Sequence, residues 1–178
     1  MFSKKKTEED AGLDPGRPKV GSAYDNMFPA GDNEFVSNMS KEQAFATVLA
    51  AAVYVDGKVK QVELQELKAL MNRTRTMRGV DDAKRAEAYR AAVDSVDKPE
   101  KLWDSVSNAC GRLRQLDKKS ETAGIALSAY AHACDLVWAD HDAPKPEMRL
   151  LRRLRDDLGL DPAEAQRVFD EIKIKNMI

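Results

Sequence analysis

The chain has 178 residues, 43% of them hydrophobic, and 29 basic against 30 acidic side chains give it a formal charge of -1. That length fits one domain with a tail and enough apolar surface for a core. The near-neutral balance gives no global field to recommend nucleic acid or an anionic membrane as the main partner, and the longest apolar run, 44–55, is well short of the roughly 20 residues a membrane span needs.

The opening segment "MFSKKKTEEDAG" runs from a basic cluster directly into acids, so it does not read as a secretory signal, and a cytoplasmic location is expected. Residues 1–39 carry Gly12, Gly16, Gly21, Gly31, Pro15, Pro18 and Pro29 with few large apolar side chains, the composition of a tail or a docking arm. Tyr24, Met27, Phe28 and Phe35 are its candidate anchors, either on a partner or folded back over the domain expected at 40–178.

From Ser40 the pattern is helical. Ser40 with Gln43 forms a capping-box pattern, and Phe45, Val48, Leu49, Ala52 and Val53 share one face of a helix over about 41–55. After Asp56-Gly57, the residues Val62, Leu64, Leu67, Leu70 and Met71 predict a second helix to about Met77, stopped near Gly79. Asp81 or Asp82 caps a short third through Tyr89 and Ala92, and Pro99 opens a fourth with Trp103, Val106, Cys110 and Leu113 as its apolar stripe. Ser120–Ala139 reads as a fifth, a sixth runs from Pro146 to Gly159, and "DPAE" at Asp161–Glu164 caps the last. Seven helices and no strand pattern make the chain all-α. Alanines 44, 46, 50, 51 and 52 and 123, 126, 129, 131 and 133 predict that helices one and five pack closely against each other or their neighbours. Cys110 and Cys134, without paired spacing and among apolar neighbours, read as reduced core thiols.

The stretch "VYVDGKVKQVELQEL" at 53–67 looks like the second half of an EF-hand loop, and it recurs when residues 128–155 are laid on 44–71 without gaps. Val53 then meets Val137, Tyr54 meets Trp138, Asp56 meets Asp140, Glu63 meets Glu147, Leu67 meets Leu151 and Leu70 meets Leu154. Each copy is helix, corner, helix, so two similar hairpins share one core. An EF-hand also requires oxygen ligands at the loop's first and third positions. Those are Ala52 and Tyr54 in the first copy, and Leu136 and Trp138 in the second, where His141 also replaces the turn glycine. A normal EF-hand is excluded.

"AAAVYVDGKVKQVELQELKAL" and "CDLVWADHDAPKPEMRLLRRL" resemble the TerB-like family of tellurite-resistance and stress proteins. The resemblance implies an all-helical, seven-helix domain and an acidic surface proposed to hold divalent cations (Ca²⁺, Mg²⁺, Mn²⁺ or Zn²⁺). By motif position that surface carries over to Asp56, Glu63, Asp140 and Glu147, with Asp142 added by proximity. The lost glycine at His141 and the long N-terminal arm depart from the pattern, and the absence of "HPD" argues against J-domain co-chaperones. The competing reading needs no ion: each aspartate accepts N–H groups of its own turn, and each glutamate favours the positive start of the next helix.

His132, Asp135, His141 and Asp142 form a second candidate set, suited to Zn²⁺ by ligand type but matching no recognised zinc spacing. Arg149, Arg152 and Arg153 lie opposite Leu150, Leu151, Leu154 and Leu158, either to dock an acidic partner or as a solvated face with Arg152–Asp156 and Arg153–Asp157 pairs. Base-stacking aromatics do not interleave with basic residues, which removes nucleic acid as a partner. A phosphate-cradling glycine loop, an H-E-x-x-H and a Gly-x-Ser-x-Gly elbow are all missing, so no catalysis is expected. Two readings follow: a non-catalytic stress-response module with protein partners, a membrane-associated complex among the settings, or a structural or adaptor subunit docked through its arm with no metal role.

Overall fold

A computed structural model describes residues 38–118, 124–139 and 145–176. Among them are seven α-helices and no strand: α1 (Lys41–Tyr54), α2 (Gln61–Arg73), α3 (Asp82–Val96), α4 (Pro99–Asp117), α5 (Ile125–Val137), α6 (Lys145–Asp157) and α7 (Pro162–Asn176). Tyr24, Met27, Phe28 and Phe35 lie outside the described residues, as do Asp140, His141 and Asp142.

α1 begins where the Ser40 hydroxyl accepts the Gln43 N–H at 3.0 Å, which supplies one of the partners a helix start lacks. Its ten residues Ala44–Val53 are all buried, so this helix has no solvent face for most of its length. A helix apolar all round must sit inside its neighbours, and α1 packs against α2, α3, α4, α5 and α6. The run of alanines keeps it thin enough to be surrounded, and the expected proximity of the first and fifth helices is realised in the α1–α5 contact. Its one buried hydroxyl, on Thr47, donates to the Gln43 carbonyl at 2.9 Å.

Three boundaries differ from the sequence-based expectation. α2 ends at Arg73, not near Met77, because Thr74 turns to extended backbone (φ -67, ψ 147) and a short 3-10 turn, Arg75–Met77, follows. Met77 still reaches the core, fully buried. α3 runs on to Val96, held inward by Ala88, Ala92 and Val96 at four-residue spacing. α5 starts at Ile125, after Gly124 at φ +83, a left-handed conformation incompatible with a helix running through it; residues 119–123 lie outside the description.

The core joins Phe45, Leu49, Leu67, Leu70, Leu113, Leu150, Leu151 and Leu154, each 2% exposed or less. Leaving any of these in water would cost roughly 1.5–3 kcal/mol. Cys110 and Cys134 are free and buried, as expected. Burial pushes the Cys110 thiol up beyond its ordinary range and the Cys134 thiol up to about 12. α7 has the fewest buried residues of the helices, Ala165 alone, and Val168, Phe169 and Ile172 lean on the core from outside.

Candidate functional site

The first corner is built from its own backbone. α1 closes with the Val55 N–H on the Ala51 carbonyl (3.0 Å), and the Gly57 N–H returns to the Tyr54 carbonyl (3.1 Å). Gly57 sits at φ +72, where a side chain would be strained. Asp56 Oδ1 accepts the Lys58 N–H at 2.7 Å, the aspartate-bonded turn its type favours. Lys60 is the extended residue before α2, and Glu63 Oε2 accepts its N–H at 3.1 Å. The other Glu63 oxygen lies 3.7 Å from the Lys60 ammonium. This is half of a capping box, with the glutamate reaching back to satisfy a helix start.

The second corner is described at its two ends. The Trp138 N–H closes α5 on the Cys134 and Leu136 carbonyls, and α6 opens at Lys145 with Pro146 and Glu147 in its first turn. Glu63 (6% exposed) and Glu147 (4%) are the two charged side chains fully buried among the described residues. The sequence repeat matched these two positions, and both carboxylates lie in the first turn of the second helix of their hairpin, near its positive end.

The described donors of the first corner do not fit a tight hard-cation site. Ca²⁺ takes six to eight oxygens, whereas Glu63 is buried and faces a lysine, leaving Asp56 as the accessible carboxylate at this turn. Among the described residues no three His, Cys, Asp or Glu side chains come together as metal ligands. Beside the corner is a cleft of about 350 Å³ lined by Tyr54, Asp56, Asp97, Pro99 and Trp103. Asp97 and Trp103 come from a different stretch of chain, which is why corner motifs alone do not reveal them. Burial first, then the nearby Tyr89 and Asp97, raise the Tyr54 hydroxyl above its ordinary pKa.

The second candidate set is occupied by packing. His132 meets the Phe45 ring edge to face (5.9 Å between centroids, 72° between planes). Burial, opposed by Asp135, lowers its pKa. Asp135 holds the end of α7, pairing with the Lys175 ammonium and accepting the Asn176 amide at 3.1 Å. His141 and Asp142 fall outside the described residues.

The basic face of α6 divides in two. Arg149 and Arg152 are exposed. Arg153 turns inward: its Nε lies 3.2 Å from Asp157 Oδ2, its Nη2 donates to Ser107 Oγ at 3.0 Å, and its guanidinium stands 5.4 Å from the centre of the Trp103 ring. The Ser107 hydroxyl in turn donates to Asp157 at 2.9 Å. The predicted Arg153–Asp157 pair therefore exists as part of an α4–α6 clasp, while Asp156 is held by Arg155 at 2.7 Å.

Two helical hairpins, each with a buried glutamate in the first turn of its second helix, packed with a fully buried α1, make up an all-helical module of the tellurite-resistance type. A profile of the family described as tellurite resistance protein TerB matches residues 42–170, and the chain belongs to that family, whose members are generally non-enzymatic. No curated protein and no solved structure matches the chain. Among the described residues no helix is long and apolar enough to cross a membrane.

Proposed function

We propose that the chain is a non-catalytic module of a tellurite-resistance-like stress response that works through contact with a protein partner. The family match over 42–170 carries this reading. The reading includes a divalent cation at the acidic corner positions Asp56, Glu63, Asp140, Asp142 and Glu147, with Asp56 the accessible carboxylate of the first corner. One specific observation favours the alternative, a structural or adaptor subunit with no metal role: Asp56 and Glu63 already accept N–H groups of their own turn.

Thermal unfolding in EDTA and then in Ca²⁺, Mg²⁺, Mn²⁺ or Zn²⁺ separates the two, using wild type and Asp56→Asn combined with Asp140→Asn. An ion that binds only the folded state adds about 2.7 kcal/mol at a hundredfold excess over Kd. The cation reading requires that shift in wild type and its loss in the double variant. No shift in either, with a less stable double variant, establishes the corners as caps and leaves the adaptor reading. Deleting residues 1–39 addresses the arm: a complex that persists unchanged refutes docking through it.

A further inference from the structure

A cleft of about 490 Å³ opens between α2 and α3, and it shares no lining residue with either corner. Met71, Ala86 and Tyr89 give it apolar walls, and Lys68, Arg85 and Arg90 bring three cations to it against the single carboxylate of Asp82. Arg85 is fixed in place. Its Nη1 donates to Asn72 Oδ1 at 2.9 Å, its Nη2 to the Val80 carbonyl at 2.8 Å, and the same nitrogen lies 3.1 Å from Asp82, a side chain 99% exposed. The Arg85 Nε–H is shut off from solvent with no acceptor among the described residues.

Lys68 and Arg90 differ from Arg85, because neither side chain enters a hydrogen bond or ion pair among the described residues. Both are exposed, and they come from the two different helices that bound the cleft. Asp82 is taken by Arg85, so the cleft's surplus is two positive charges. Small-molecule sites are concave, mostly apolar and oriented by a few polar groups, with volumes of about 300–1,000 Å³. A phosphate monoester carries close to two negative charges at neutral pH, and an arginine fork suits its oxygens.

We propose that this cleft binds a small organic phosphate ester, its phosphate held between Lys68 and Arg90 and its apolar body laid against Met71, Ala86 and the Tyr89 ring. The experiment is an NMR titration of the full chain with phenyl phosphate, with inorganic phosphate and phenol as controls. Phenyl phosphate saturates, shifts the amides of the α2 and α3 lining residues, and binds more tightly than either control. Lys68→Ala and Arg90→Ala each weaken it about tenfold, the size expected for one charged hydrogen bond, while Lys68→Arg retains binding. Both substituted side chains are exposed, and an unchanged circular dichroism spectrum verifies the fold. The proposal is overturned if phenyl phosphate fails to saturate at millimolar concentration, if both alanine variants bind as wild type does, or if inorganic phosphate binds equally well.

Discussion

Replacing Glu63 tests whether the first corner is held by its own chain. Its carboxylate accepts the Lys60 N–H at 3.1 Å at a site 6% exposed, with the Lys60 ammonium 3.7 Å from the other oxygen. A hydrogen bond to a charged group contributes about 1.5–3 kcal/mol. The negative charge near the start of α2 adds about 0.3–1 kcal/mol. The ammonium, on a partly exposed side chain at 3.7 Å, adds little. Glu63→Ala should therefore cost about 2–4 kcal/mol, and Glu63→Gln, which keeps an acceptor oxygen but not the charge, about 1 kcal/mol. At about 2–4 °C per kcal/mol the alanine variant melts roughly 4–16 °C lower. Urea unfolding followed by circular dichroism in EDTA measures this. A loss below about 0.5 kcal/mol in EDTA, within the range of an ordinary surface substitution, would refute the capping role; it would point to an ion ligand if Glu63→Ala also abolished an ion-induced gain seen in wild type.

Arg153→Ala should cost about 1–2 kcal/mol by breaking the Asp157, Ser107 and Trp103 contacts, while Arg152→Ala stays within about 0.5 kcal/mol of wild type; urea midpoints of the two distinguish them. His132 has a folded pKa below its unfolded value of about 6.5, so the unfolded chain holds the proton more tightly. Its contribution to stability is complete above about pH 6.5 and is lost as pH falls through the folded value, and His132→Leu should flatten that part of a stability–pH curve. Cys110 and Cys134, buried with raised pKa values, should resist an aromatic disulfide reagent in the native protein and react once urea unfolds it. Rapid native labelling of either would contradict their burial.

Local chemistry was legible in the sequence. The Ser40 cap, the Pro99 start, the Gly159 stop and the Asp161 cap depend on residues within a few positions of one another, and each appears as expected, Asp161 Oδ1 accepting the Ala163 and Glu164 N–H groups at 3.0 and 2.9 Å. The repeat puts Glu63 and Glu147 at equivalent positions from the sequence alone. What escaped depends on distance along the chain. The sequence places Arg153 on an outward basic face, for an acidic partner or for solvent, because Trp103 and Ser107, which draw it inward, belong to α4. The end of α2 escaped for a different reason: Leu70, Met71 and Met77 are all buried, so an apolar stripe continues across a backbone break at Thr74. The α2–α3 cleft exists only once those helices are placed.

The encirclement of α1 bears on how such a molecule can be divided. The two hairpins read as copies, yet α1 of the first is enclosed partly by α5 and α6 of the second. Cutting the chain between α4 and α5 would strip cover from a ten-residue span that has almost no polar groups to offer water. A fragment ending after α4 would keep the cover of α3 and α4 but expose the α1 surface that α5 and α6 shield in the whole chain. Two separately expressed halves should therefore associate, the α5–α7 half restoring that cover to α1.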